Sequence, residues 1–420
     1  VKILFNSINF PPDRIGIAKY SGDMVSWLTA RGHTVRVVTA PPYYPDWSIP
    51  SGYSGWRYRV EQRPEGRVLR CPLWVRPGMS GGKRLLHLAS FAAASAPVMV
   101  AAAIAWRPDL IFVTAPALMT LPASLVGARL SGARLWLHVH DFEIDAAFNL
   151  GMLAGGASRR LALGVERGVM TRCDRVSTLT APMRARLHAR GLTPDRTSLL
   201  PNWVDGSVLY PLSGPSPMRA ELGFGDDDVV ALYSGNMGNK QGLETIIEAA
   251  RLLSGEPRIR FVLVGGGSHR ETLLRMANGL ANVSFLPLVA DDRFNDLLNL
   301  GDIHLLPQRA GAADLVMPSK LAGCMASGRP VVAGALPGTE IAEVLRGGGI
   351  LVPPDDAAAF AAAIGELAVD PARRQTLGEW ARAQACALWG RQGVLEAFER
   401  EALALVGAAP LPVAALERAR

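Results

Sequence analysis

The 420 residues are 49% hydrophobic and 19% charged, a balance that excludes a largely disordered chain, and the length points to two domains of roughly 200 residues each. The formal charge of +7 is uneven: residues 1–205 hold 25 Lys+Arg against 13 Asp+Glu, and residues 206–420 hold 19 against 24. The arginines of the basic half are scattered and no nucleic-acid module accompanies them, so no nucleic-acid partner is expected, whereas an anionic membrane surface suits the charge.

The opening VKILFNSINF reads as a buried first strand, because Pro11 and Pro12 follow at once and leave no room for a targeting segment. In PPDRIGIAKYSGDM, Gly16 opens a helix running to about Arg31. A glycine there lets the backbone approach a ligand, but GxGxxG is absent and a dinucleotide is not expected; a plain helix start stays open. After the strand TVRVVTA, residues from Trp56 to Leu73 read as an inserted hairpin. Residues 85–106, LLHLASFAAASAPVMVAAAIAW, follow Arg76, Lys83 and Arg84 and have the length of a membrane span, yet contain His87, Ser90, Ser95 and Pro97. A buried or kinked core helix is the first reading, with a membrane-surface helix and a span as alternatives.

The runs LIFVTA, RLWLHVH, RVSTLT and SLLPN continue a parallel sheet. LHVHDFEID crowds His138, His140, Asp141, Glu143 and Asp145 after one strand. These side chains could be solvated charges or a metal site, or could grip sugar hydroxyls with histidine supplying acid and base capacity near neutral pH. A proline- and serine-rich stretch from Val204 to Pro217 marks a domain boundary. Beyond it VVALYSG, RFVLVGGG, VSFLPL, DIHLLP, RPVVAG and GILVPP repeat the scheme, so the fold class is α/β with two parallel-sheet domains in tandem. The last 35 residues, from near Trp389, are helical and could return to the first domain. Cys71, Cys173, Cys324 and Cys386 lie far apart without CxxC spacing, which indicates a reducing cytoplasm and no structural metal.

Ligands bind beyond the carboxyl ends of parallel strands. There, SGNMGNKQGLE combines glycines, Lys240 and a helical pattern from Gly242, which suits a phosphate held by helix-start amides and a full charge; an ordinary strand-to-helix turn is the alternative. In AADLVMPSKLAGCMASGRPVVAG, Pro318 starts a helix and Lys320 lies in its first turn, where a cation is unfavourable unless an anion is bound. Lys240 and Lys320 would then clamp one diphosphate, unless Lys320 is a surface lysine, and such a clamp needs no metal.

In order, the blocks GIAKYSG, APPYYP, LHVHDFEID, PNWVD, YSGNMGNKQGLE, MPSKLAGCMASGRPVV and GTEIAEVL resemble the retaining GT-B glycosyltransferases of family 4, in particular the WcaI-type branch of colanic-acid biosynthesis, over essentially the whole chain. The resemblance implies two facing Rossmann-like domains: residues 1–205 for the acceptor, 206–388 for a nucleotide-sugar, and 389–420 as a helix packing back on the first, with a tail. It places His140, Asp141, Lys240 and Lys320 at the reacting centre. Gly16, Gly235, Asn236, Gln241, Gly265, Gly266, Leu288, Asp314, Pro318, Ser319, Leu321 and Glu340 fall around the donor, and Lys19, Glu143 and Asp145 around the acceptor. Two departures stand out. Asn236 and Gln241 occupy a loop where many members carry arginine and lysine, and the two family glutamates fall on Leu315 and Gly323, leaving Asp314, Glu340 and Glu343 as nearby acids.

The implied reaction moves a sugar from a nucleotide-sugar, GDP-fucose favoured over other GDP- or UDP-sugars, to a polyprenyl-diphosphate-linked glycan in exopolysaccharide synthesis. It needs no cofactor and no metal, and the enzyme would be cytoplasmic and peripheral on the inner membrane. A nucleotide-sugar 2-epimerase of GT-B shape and a non-catalytic binding protein are the competing readings.

Overall fold

The computed structural model describes residues 1–13, 16–77, 82–116, 118–142, 144, 156–309 and 319–409, with the side chains of 156, 157, 240 and 319 outside the description. The chain forms two compact units. One is Val1–Pro201 with the chain from Leu395 onward; the other is Asn202–Val394.

The first unit is built on eight strands: β1 (Lys2–Asn6), β2 (Thr34–Thr39), β3 (Arg59–Arg63), β4 (Gly66–Arg70), β5 (Leu110–Ala115), β6 (Arg134–Val139), β7 (Arg175–Thr178) and β8 (Thr197–Leu199). Their order is β3-β4-β2-β1-β5-β6-β7-β8. β1 is central, with Leu4 opposite Arg36 of β2 and Ile111 of β5. All six residues of LIFVTA in β5 are buried, as expected for a strand covered on both faces. The hairpin expected between Trp56 and Leu73 forms as β3 and β4, and it joins the sheet. β4 pairs parallel with β2, Val37 opposite Val68, and β3 closes the edge antiparallel to β4. Val68 and Arg70 of β4 are buried while Arg67 is exposed, and Arg70 pairs with Glu61 of β3 at 3.2 Å.

The apolar segment forms the helix Gly82–Trp106, which includes Pro97. His87, Leu88, Phe91, Ser95, Met99 and Ala103 face the core along one side, so it belongs to the layer covering the sheet. The helix Leu121–Ser131 lies beside it. The two approach closely at Gly127, where a Cβ would sit 3.1 Å from that of Ala103. Over the other face of the sheet lies the helix Arg391–Val406. Its Phe398 packs against Phe112 of β5 and Trp136 of β6, with ring centroids 5.2 and 4.9 Å apart. Glu399 on the same helix is buried and accepts hydrogen bonds from Arg31 Nε at 2.8 Å and His33 Nε2 at 2.8 Å.

The second unit holds six parallel strands: β9 (Val229–Ser234), β10 (Ile259–Val264), β11 (Val283–Leu286), β12 (Ile303–Leu306), β13 (Val331–Gly334) and β14 (Ile350–Val352), in the order β11-β10-β9-β12-β13-β14. Strand order reverses between β9 and β12, where an open α/β sheet offers a ligand crevice at its carboxyl edge. Ala231, Tyr233, Phe261, Leu263 and Leu305 pack with Ile246, Ile247, Phe360 and Ile364 on one face. The helix expected from Gly242 begins instead at Glu244. Asn239–Gln241 form a 3₁₀ turn and Gly242 takes φ +65°, a left-handed conformation that interrupts the helical path.

Candidate active site

At the carboxyl end of β9 the chain turns at Gly235 with φ +148°, a region open to glycine alone. The following loop lies directly on the triple glycine after β10. Gly235 N–H donates to Val264 O at 2.9 Å, Met237 N–H to Gly266 O at 2.8 Å, and His269 N–H to Met237 O at 3.0 Å. A Cβ on Gly265 would stand 2.0 Å from Gly235 O, and one on Gly267 2.4 Å from Met237 O. The two loops can therefore stack only because side chains are missing, and the fully buried Met237 anchors them to the core.

Beneath this loop runs a hydrogen-bonded chain. Lys320, in the first turn of the helix Ser319–Ala326, donates from Nζ to the Tyr233 hydroxyl at 2.7 Å, and that hydroxyl donates to Asn236 O at 2.7 Å. The ammonium also lies 4.0 Å from the Tyr233 ring centroid. A Cβ at Gly235 would be 3.3 Å from Lys320 Nζ, so this glycine opens the way for the lysine as well. Lys320 is thus no surface lysine. Burial pushes its pKa down to about 8, with the neighbouring Cys324 acting weakly in the other sense. A bound anion would reverse that shift.

The strand β12, beside β9, brings a second cation that the sequence reading did not single out. Arg309 donates from Nε to Asn239 O at 2.6 Å and from Nη2 to the Glu244 carboxylate. Glu244 Oε1 also lies 2.8 Å from His269 Nε2, so Arg309 and this carboxylate together join the 3₁₀ turn, the helix start and the residue that follows the glycine loop. The signal for Arg309 was its place just after the run DIHLLP, at the carboxyl end of a strand next to the switch point.

The other expected donor residues are placed unequally. Asn236 is exposed on the loop, Gln241 closes the 3₁₀ turn with its N–H on Gly238 O at 3.0 Å, and Leu288 after β11 is 72% exposed. Leu321 is fully buried and its side chain belongs to the core with Leu298, Leu306 and Met325. Glu340 opens the helix Glu340–Val344, whose N-cap Thr339 accepts from Ala342 N–H, while Glu343 is paired with Arg346. Asp314 and Pro318 lie outside the described residues, as does Leu315; for Lys240 and Ser319 only the backbone is described.

In the first unit, His140 follows β6 directly and is 8% exposed. Its ring stands edge-on to His138, centroids 4.3 Å apart, and His138 Nδ1 is 2.9 Å from Ser177 Oγ. Burial pushes the His140 pKa down to about 4 and holds His138 well below the usual histidine value, with His140 adding to the effect on His138. Acid and base capacity near neutral pH is therefore not what this environment provides. At pH 7 the His140 imidazole is neutral, a hydrogen-bonding group beside the exposed Asp141. Gly16 caps the helix Ile17–Ala30 with φ +63° and has open space around it, so backbone conformation alone calls for glycine. Lys19 is exposed on the first turn; Glu143 and Asp145 lie outside the described residues.

Three residues before Gly16, a further group had escaped the sequence reading. The Asp13 carboxylate is buried and accepts from Tyr43 N–H at 3.1 Å and from Asn9 Nδ2 at 3.4 Å. Burial pushes it up to about 6 against those hydrogen bonds and the charge of Arg70.

Residues 16–203 match the glycosyl transferase 4-like domain, and residues 228–370 match the glycosyl transferases group 1 domain. The chain is 41% identical over 392 residues to the putative colanic acid biosynthesis glycosyl transferase WcaI of Escherichia coli K12, covering 91% of this chain and 95% of that protein. Among solved structures it resembles the sucrose-phosphate synthase of Thermosynechococcus elongatus (TM-score 0.72, 22% identity, 97% of this chain and 100% of the other). It also resembles Anabaena HepE in complex with UDP and glucose (TM-score 0.65, 17% identity, 95% and 98%). With two tandem parallel-sheet units and a near-full-length match at this identity, the chain belongs to the GT-B glycosyltransferases of family 4, in their WcaI-type branch.

Proposed function

We propose that this glycosyltransferase moves a sugar, with retention of anomeric configuration, from a nucleotide-sugar to a polyprenyl-diphosphate-linked glycan during exopolysaccharide assembly. The observation that carries the reading is the chain Lys320–Tyr233–Asn236 beneath the glycine loop at the switch point of the second sheet. A diphosphate on that loop would meet the exposed edge of the 3₁₀ turn and the Lys320 ammonium, whose pKa it would raise. Fixed cations and amides stabilise negative charge as it grows on the leaving phosphate, and they do so without a metal or a protein nucleophile. The acceptor hydroxyl then attacks the face the diphosphate leaves, and the departing phosphate oxygen takes its proton. His140, neutral at pH 7, orients a sugar hydroxyl and does not act as the base.

GDP-fucose is the favoured donor from the likeness to WcaI, and the UDP and glucose bound to HepE support the nucleotide-sugar class. Radiolabelled nucleotide sugars incubated with and without a lipid-linked acceptor test the reading. Label transferred to lipid supports it, an isomerised donor would assign an epimerase, and binding without product a silent site. A thermal-shift panel of GDP, UDP, ADP and TDP selects the base.

A further inference from the structure

The helices Gly82–Trp106 and Leu121–Ser131 turn an unusual face outward. On the first, Leu86, Ala93, Pro97, Ala101 and Ile104 are exposed along one side, opposite the buried row from His87 to Ala103, with Leu86 54% and Ile104 50% exposed. On the second, Val126 and Leu130 are exposed one turn apart, and Met119 lies just before it. The close approach at Gly127 sets the helices side by side, so the exposed rows adjoin. The hairpin extends the surface: Tyr58 donates its hydroxyl to Ala94 O at 3.0 Å, which brings the exposed Trp56 and Tyr58 alongside the first helix. Aromatic residues with one polar end suit a membrane–water interface.

The charge at the margins is mainly positive, with Asp109, just past the end of the first helix, an exposed acid. Lys83, Arg84, Arg107 and Arg129 are exposed around these helices, and no Asp or Glu occurs from Lys83 to Arg107 or from Leu118 to Arg134. We propose that this face is the surface by which the protein lies on a bilayer of anionic phospholipid, with the two helices parallel to the membrane plane. Lying flat matches the packing, because a spanning helix would have to withdraw His87 and Ser95 from the domain core, where His87 Nδ1 holds Trp74 O at 2.8 Å. A second copy of the chain is the poorer occupant, since self-association through this face would oppose two sets of cations. Apolar area and basic residues acting together are what hold a protein at an anionic interface.

Flotation of the full-length protein with phosphatidylcholine vesicles, with and without phosphatidylglycerol, tests the proposal and needs no sugar transfer, so its outcome is separate from that of the transferase reading. The wild type should float only with phosphatidylglycerol and be released by salt. Leu86→Asp with Ile104→Asp should abolish flotation, and Lys83→Glu with Arg129→Glu should lower it about tenfold or more. Leu252→Asp, at an exposed position of the second unit, should float as the wild type does. Circular dichroism and thermal unfolding establish that each variant is folded. Failure of the wild type to float on anionic vesicles, or undiminished flotation of both double variants, would overturn the proposal. So would a dimer that floats on neither vesicle and dissociates in the Leu86/Ile104 variant, because that result would assign the face to a second copy.

Discussion

Lys320 and Tyr233, 87 residues apart, meet at 2.7 Å, and through the same hydroxyl the lysine is tied to the backbone of Asn236. One side chain thereby serves two purposes: it gives the ammonium a partner in the absence of ligand and it fixes the loop on which a donor would rest.

Tyr233→Phe removes that hydroxyl while keeping the ring. The loop carbonyl and the ammonium each lose a partner, so nucleoside-diphosphate affinity should fall roughly tenfold, the worth of one or two polar hydrogen bonds. Calorimetric titration of the variant checks this, and a thermal midpoint within a few degrees of the wild type would show that the core is intact.

The low pKa of Lys320 gives donor binding a definite pH dependence. A bound diphosphate raises the pKa above its ligand-free value of about 8, so binding takes up a proton, and affinity should fall up to tenfold per pH unit above about pH 8. The ligand-free protein should show the opposite trend. Its Lys320 pKa lies below that of the unfolded chain, so this group contributes stability above pH 10.5 that is lost as pH falls toward 8. Titrations at pH 7 and 9 in buffers of different ionisation enthalpy measure the proton uptake, and Lys320→Arg should abolish it.

Among the glycines after β10, position decides the cost of a side chain. Gly267→Ala meets Met237 O at 2.4 Å with φ +151° and should displace the donor loop, destabilising the protein by about 2 kcal/mol and weakening nucleotide binding. Gly266→Ala has nothing within 4 Å and should be close to neutral. Thermal unfolding of the two variants side by side measures the contrast.

Glu399 fastens the last helix to the first unit through Arg31 and His33. Burial alone would raise its pKa, yet these two partners hold it below the usual glutamate value. Glu399→Ala leaves the buried His33 and the partly buried Arg31 without their acceptor and should cost roughly 2–4 kcal/mol of stability. Chemical denaturation gives the loss, and limited proteolysis should show the helix Arg391–Val406 cut sooner.

Strands were legible because their apolar runs are short, bounded by turns and separated by helical segments, and the loops worth inspecting followed from the rule that ligands gather at carboxyl ends. Partnerships across those loops were not. Nothing local to VVALY indicates that its tyrosine supports a lysine from MPSKLAG, since that depends on β9 being central in the sheet. Arg309 was hidden for a similar reason, as its role arises from β12 lying next to β9. The protonation state of His140 is not legible in the string, because it is set by burial, which a residue sequence does not display. The helical pattern in the string begins at Gly242, but the left-handed backbone there delays the helix to Glu244.

The most direct test of a donor seat at the glycine loop is nucleoside-diphosphate binding and sugar transfer by Lys320→Ala, with folding monitored by circular dichroism. A donor site there predicts binding weakened by about a hundredfold and turnover lowered by orders of magnitude in a folded protein. Wild-type binding and turnover in the folded variant would contradict it.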